Sequence, residues 1–400
     1  MKKIIFLILC LCGLLMGLSG AAEEARDITA EAKITVSAKA YHLERLRDRD
    51  YTTTYSSGSA NGAYIEVAAA EPCYGVYVCF GAEKLLPWCV KVKEGKKWVS
   101  KYESSGQYAH EYIALDGETQ FRICYQSTKS HDLSVNELYL FSEGDVPDYV
   151  QIWQPTVEKA DLMILVAHPD DEILFMGGML PTYAGERNYQ VVVCYMTCGT
   201  TVRRSELLNG LWLCGVRNYP DIGTFWDKYT TKLDKMYSVW GKSKSHKYII
   251  SLIRKYKPEV VVTHDVNGEY GHGAHRVCAD TCLNYIAAAA DETKYTDSAK
   301  TYGTWQVKKL YLHLYKENQI ELDWDTPLDA FDGQTGMEIA RQAYKLHASQ
   351  PQKGYWVYGK EDEYNSSLFG LAYTVVGEDV EKNDLFEHIT LENAASEAAQ

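Results

Sequence analysis

The stretch LMILVAHPDDE, residues 162–172, decides the fold of this chain. Its first six residues are an unbroken apolar run. A strand with one wet face would alternate polar and apolar residues, so the run suits a strand buried on both faces of a parallel sheet. Pro169 fixes a turn behind it, and Asp170, Asp171 and Glu172 fall in the first turn of the helix that follows, where the dipole favours acids. The chain therefore passes from strand to helix at His168. Open α/β sheets assemble their sites at such junctions, beyond the carboxyl ends of the strands.

A second junction of the same kind lies about a hundred residues further on, in PEVVVTHDVNGEYGHGAHR, residues 258–276. An apolar strand ends at His264 and Asp265, a Gly-rich loop follows, and His272 and His275 stand three apart at the entry to a helix, where such a spacing shares one face. If both junctions edge one sheet, His168, Asp171 and His275 converge as two imidazoles and a carboxylate. That set suits Zn2+ held by three protein ligands, at roughly 2.0 to 2.2 Å, with a fourth position left to water. Such a metal lowers the pKa of its water towards about 7 and polarises a neighbouring carbonyl. Asp170, outside the ligand set, is placed to take the water's proton. His264 reads either as support for the metal or as a core histidine.

Between and after these junctions strand and helix alternate. Helical spacing covers 172–184, 203–214, 247–255 and 274–290, and strand patterns cover 191–196 and 309–315. The second half is thus expected to be an α/β Rossmann-like domain with a mostly parallel sheet. From 28 to 150 the pattern differs: short β-branched and aromatic runs broken by turn clusters, as in an all-β sandwich. Residues 91–99 (KVKEGKKWV) read as a hairpin with Glu94-Gly95 at its tip, and VPDYVQIWQP at 146–155 reads as a linker. The expected organisation is two domains, 26–150 and 156–387, with a flexible acidic tail over 388–400.

The first 21 residues read as a secretory signal peptide, with Lys2 and Lys3 before an apolar run over 4–18 and small residues after it. The run is short of the roughly 20 residues a spanning helix needs, so export without stable membrane insertion is expected. The net charge of −13 argues against a nucleic-acid partner, which needs basic surface. Cys10 and Cys12 lie in the leader, and the rest of the eleven cysteines are an odd, scattered set, some in apolar stretches that read as small core residues.

The motifs AHPDDE (167–172), RRSELLNGLWLCGV (203–216), EYGHGAH (269–275) and YKLHASQ (344–350) together resemble the PIG-L/LmbE-like family of zinc-dependent N-acetylglucosamine deacetylases. The resemblance implies zinc ligands at His168, Asp171 and His275, a general base at Asp170, and oxyanion stabilisation or amine protonation by His272, with Tyr270 at the substrate carbonyl. It places Arg203 and Glu206 on a helix that backs the metal ligands or faces the substrate, and makes His347 structural or substrate-side, although Arg203 and Arg204 also suit helix-face ion pairs with Glu206. Gly273 and Ala274 stand where family members commonly carry Pro-Asp, which leaves Asp265 to orient a ligand. The N-terminal segment resembles a discoidin-like, coagulation-factor type C β-sandwich through Leu46-Arg47-Asp48 and Thr52 to Ser56, through Pro87-Trp88, and through VNELYLFSEG at 135–144. Such domains often bind carbohydrate; a mere packing role is the other reading.

The resemblance implies a secreted hydrolase that removes the N-acetyl group from an N-acetylglucosamine-type sugar or glycan. Its competitors are a glycan-binding protein with a vestigial metal site, a metallophosphoesterase and a two-carboxylate glycosidase. A vestigial site would be expected to lose Asp170. A phosphoesterase usually needs a second metal, and a glycosidase has no need of two histidines beside Asp171.

Overall fold

The computed structural model describes residues 23–39, 42–127, 129–350 and 354–391. The leader at 1–21 and residues 392–400 of the tail lie outside them. Among the described residues no helix is long and apolar enough to cross a membrane.

The first domain contains β1 (Lys33–Val36), β2 (Tyr55–Asn61), β3 (Tyr64–Phe80), β4 (Trp88–Glu94), β5 (Lys97–Glu103), β6 (His110–Tyr125) and β7 (Ser130–Phe141). All pair antiparallel, in the order β2-β7-β3-β6-β4-β5 with β1 on β3. The β-rich character is as expected, but hydrogen bonding joins the strands into one continuous sheet. Two long strands make this so: β3 and β6 shift register around Cys73, and such bulges bend a strand enough for one sheet to wrap around its own core. That core includes Ile65, Val78, Trp88, Phe121, Ile123 and Leu140. In the β4–β5 hairpin Glu94 pairs with Lys97, so the tip is Gly95-Lys96, one residue later than expected. Gly95 has φ +61°, a conformation that favours glycine, and so takes the first turn position.

The second domain holds β8 (Leu162–Val166), β9 (Val191–Tyr195), β10 (Asp221–Ile222), β11 (Val260–Thr263), β12 (Lys309–His313), β13 (Gln319–Glu321) and β14 (Leu368–Thr374), in the order β10-β9-β8-β11-β12-β14-β13. Neighbours from β10 to β12 pair parallel, whereas β14 runs antiparallel to both β12 and β13. The sheet is therefore mixed, parallel at its centre and antiparallel at one edge.

Alternate residues of the apolar runs enter different cores. Leu162, Ile164 and Val166 face one layer with Val260 and Val262, and Met163, Leu165 and Ala167 face the other with Val261. Burial on both faces is why these strands carry no polar alternation. The helices are α1 (Asp171–Leu174), α2 (Thr201–Leu213), α3 (Leu233–Trp240), α4 (Lys242–Tyr256), α5 (Gly273–Tyr285), α6 (Thr296–Tyr302) and α7 (Gly336–Lys345). The single helix expected over 172–184 stops after one turn. Gly177 has φ +54°, and a Cβ there would lie 2.4 Å from Ser366 Oγ, so the chain turns where only glycine allows close packing.

Residues 146–155 are not a loose linker: Val150, Gln151 and Trp153 are buried. The domains are also joined directly. Arg204 of α2 donates to the carbonyls of Phe80 (3.0 Å) and Ala82 (2.8 Å) rather than pairing with Glu206, and Tyr219 OH accepts from Ala109 N at 3.2 Å. Cys194, Cys278 and Cys282 are buried core thiols, as expected, while Cys198 is half-buried.

Candidate metal centre

Parallel register brings the site together. Thr263 aligns with both Leu165 and Leu312, so the residues that follow, among them His264 and His313, emerge side by side at one edge of the sheet. His168 leaves the same edge after β8, and α5 begins just beyond it with His275.

At the first junction Asp170 takes φ 96°, far outside the usual range for a non-glycine residue and the kind of backbone strain that active sites retain. Its N–H is accepted by Glu172 Oε2 at 3.0 Å, so Glu172 supports the turn. The turn aims Asp171 inward: its Oδ2 lies 3.1 Å from His168 Nδ1 and 3.3 Å from His275 Nε2. The two imidazole nitrogens are 3.3 Å apart. A tetrahedral site with bonds of roughly 2.0 to 2.1 Å has donor–donor edges of roughly 3.3 to 3.4 Å, so these three atoms fit one small divalent ion. Among the described residues two overlapping donor sets converge within 4.8 Å, His168 with His272 and His275, and Asp171 with His264 and His275. His168, Asp171 and His275 draw on both sets and have mutual distances that suit one tetrahedron; His264 Nε2 also lies 3.4 Å from Asp171 Oδ2, but it accepts a hydrogen bond from Ala167 N.

Glu269 organises what lies behind. This fully buried carboxylate meets His275 Nδ1 (2.7 Å), His264 Nδ1 (2.8 Å) and His313 Nδ1 (2.7 Å). Burial alone would raise its pKa, but His264 and the other imidazoles outweigh that and hold it well below the usual carboxylate range. Glu269 therefore does the orienting that the sequence left to Asp265, whose own backbone N–H donates to Glu269 at 3.2 Å. A buried carboxylate that fixes a ligating imidazole is a common support in metal sites. His264 is also tied in by Ala167, whose N–H donates to its Nε2 at 3.0 Å.

The donors face a cleft of about 550 Å³ whose walls include His168, Asp170, Asp171, Arg203, Asp227, Tyr229, Tyr270, His272, Ser349, Gln350 and Tyr355. Burial pushes the Asp170 carboxyl up to about 7, with Arg203 opposing; the guanidinium stands 3.2 Å from Asp170 Oδ1 and also binds the carbonyl of Pro169. Burial likewise acts on Asp171, but His275 and His168 hold it well below its usual range. His272 accepts from Ala274 N at 3.2 Å through Nδ1, so its neutral ring carries the proton on Nε2. Burial, with His275 and His168 beside it, keeps that ring from charging, pushing it down to about 2.

Seven of the nine expected site residues therefore stand on or at this cleft: His168, Asp170, Asp171, Tyr270, His272 and Arg203 on its walls, and His275 just behind them. The other two do not line it. Glu206 is buried and accepts from Ser349 N (2.7 Å) and Oγ (2.9 Å), holding the residue that does reach the cleft. The His347 ring is fully buried with neither nitrogen partnered. Sequence reasoning gave no role to Glu269, Asp227 or Tyr229, and read His313 only as a structural or substrate-side histidine. His313 carried a usable signal, because it ends an apolar strand as His264 does; Asp227 and Tyr229 sit in a connecting loop with none.

Residues 163–286 match the family model described as PIG-L: GlcNAc-PI de-N-acetylase. Among curated proteins, the chain is 26% identical over 201 residues, 42% of this chain and 64% of the relative, to "1D-myo-inositol 2-acetamido-2-deoxy-alpha-D-glucopyranoside deacetylase 1" of Frankia casuarinae. It is 24% identical over 253 residues, 47% of this chain and 82% of the relative, to the deacetylase of the same description, without the numeral, from a Nocardioides species. The matched part spans 64% and 56% of the first two relatives. Among solved structures, N,N'-diacetylchitobiose deacetylase from Pyrococcus horikoshii is similar at 20% identity and TM-score 0.37, over 48% of this chain and 71% of that one. CpGH89CBM32-6 of Clostridium perfringens is similar at 14% identity and TM-score 0.26, over 30% of this chain and all of that one.

Proposed function

Residues 163–286 form a PIG-L domain, and from that premise we propose that this chain is a secreted, zinc-dependent hydrolase that removes the N-acetyl group from an N-acetylglucosamine-type sugar or glycan. The observation that carries the reading is the triangle of His168 Nδ1, Asp171 Oδ2 and His275 Nε2, with edges of 3.1 to 3.3 Å, opening onto a cleft in which Asp170 stands free of the triangle. Two imidazoles and one carboxylate are a zinc-type donor set with a position to spare. Deacetylase activity in the curated relatives supports the reaction class. The apolar leader at 4–18 supports export.

His168, Asp171 and His275 would hold the zinc, which would supply a Lewis acid able to lower the pKa of water towards about 7 and to polarise an acetamide carbonyl. Asp170 takes the proton from the water as its oxygen attacks the acetamide carbon. As the C–N bond breaks, the same carboxyl returns that proton to nitrogen, because an amide anion is a poor leaving group; acetate and a free amine result. A carboxyl lifted towards neutrality suits both halves of this transfer. Arg203 fixes the Asp170 side chain and its turn. His272, with Nδ1 occupied, donates Nε2–H to the carbonyl oxygen as negative charge gathers there. The phenol of Tyr270 lies beside that oxygen. A vestigial, glycan-binding role is not favoured, since donors, base and hydrogen-bond donor are all retained.

The test is acetate release from N-acetylglucosamine-containing glycans by the zinc-loaded chain. Asp170→Asn should keep its zinc and lose about 10²- to 10⁴-fold in rate. Unchanged turnover in that variant would remove Asp170 from the chemistry.

A further inference from the structure

Next to the catalytic cleft lies a second cleft, of about 920 Å³, between the two domains. The two share Gly199, Thr200 and Asp227 as a common wall, so one trough runs from the metal donors to the first domain. Either part alone has the size of a small-molecule site, roughly 300 to 1,000 Å³; together they exceed what one sugar needs. The far end is closed by Glu83 and Leu85 of the first domain. Arg204, which bonds to Phe80 and Ala82, holds that wall against α2.

Trp226 stands in the second cleft and Tyr229 in the first. At 67% and 64% they are the most exposed aromatic residues among the described residues. Exposed large rings at a cleft are informative where scattered ones are not. The Trp226 carbonyl accepts from Trp240 Nε1 at 2.9 Å, so the ring's base is anchored rather than adrift. The charges of the second cleft balance, with Glu83 and Asp227 against Lys84 and Arg204, which does not suit a polyanion. Anchored aromatic faces among hydroxyls such as those of Thr201 and Thr224 suit a neutral saccharide, whose rings offer apolar C–H faces and polar rims.

We infer that the interdomain cleft binds further sugar units of a linear, neutral glycan whose N-acetyl group is presented to the metal centre, with Trp226 as the stacking platform. The first domain then supplies one wall of the substrate groove and the substrate is an oligomer or polymer. This inference rests on the deacetylase reading, and its test separates the two. The probes are the β-1,4-linked disaccharide and pentasaccharide of N-acetylglucosamine, used with the full chain. Acetate release should favour the pentasaccharide, and Trp226→Ala should cut that preference about tenfold, the loss of one good aromatic contact. In parallel, calorimetry should show the pentasaccharide binding Asp170→Asn, and binding the doubly substituted Asp170→Asn, Trp226→Ala chain about tenfold more weakly. If no probe releases acetate yet binding follows Trp226, the deacetylase reading fails and the groove stands. Equal rates on the two probes, or binding and preference indifferent to Trp226, overturn the groove.

Discussion

Buried histidines occur in this chain in two settings that differ in their partners. At the domain boundary His110 meets only neutral groups, Gln151 Oε1 at 2.9 Å and Ser205 Oγ at 3.2 Å; burial, with Arg204 nearby, pushes its pKa down to about 3. Behind the metal centre His264, His275 and His313 are equally buried but share the carboxylate of Glu269. Burial is common to both sets, so the partner decides what the imidazole does. Neutral partners make His110 a hydrogen-bonding strut between domains, and a shared carboxylate orients His275 as a ligand with His264 and His313 fixed beside it.

The strongest way to break this comparison is Glu269→Gln, which leaves the shape and removes the charge. Zinc affinity should fall by about 10- to 100-fold, and thermal unfolding should report a loss of about 3 to 5 kcal/mol, as when one partner of a buried ionic group is removed. Unchanged zinc affinity would show that Glu269 does not orient His275.

The opposite case is sharpened by acid. Unfolded, His110 titrates near 6.5; folded, near 3. Between those values only the unfolded chain takes up the proton, so stability is complete above about 6.5 and drains away as pH falls. This one group should cost about 2 kcal/mol by pH 5. Chemical denaturation at pH 7 and pH 5 should show the slope in the parent chain, and His110→Gln should reduce it; an equal slope in the variant would mean that His110 is not held neutral. A smaller effect is expected from Arg204→Ala, which removes the two bonds to Phe80 and Ala82 and should cost about 1 to 2 kcal/mol in unfolding. A cost near zero would mean that the other contacts between the domains suffice.

What the sequence revealed follows the range of the interactions concerned. The run at 162–167 could be read because burial on both faces is written in every residue of the strand. His168, Asp171, His272 and His275 could be read because each lies within a few residues of a strand end or helix start. Glu269 lies within a legible motif, yet its role is not local, because it depends on His313, which stands 44 positions away on another strand. Glu206 and His347 show the converse: their motifs were visible, but whether a side chain reaches the cleft or packs beneath it is settled by how α2 meets α7. The continuous first sheet was equally hidden, since its long strands find partners across the whole domain and local turn chemistry fixes only hairpins such as that at Gly95. The break at Gly177 was open to a stricter reading of the Gly-Gly pair.

The most direct test of the account is X-ray diffraction from zinc-loaded crystals at the zinc absorption edge. One anomalous peak per chain is expected, bonded at roughly 2.0 to 2.2 Å to His168 Nδ1, Asp171 Oδ2 and His275 Nε2, with Asp170 beside it and unbonded. No peak at that position, or one held by Asp170 in place of Asp171, would contradict it.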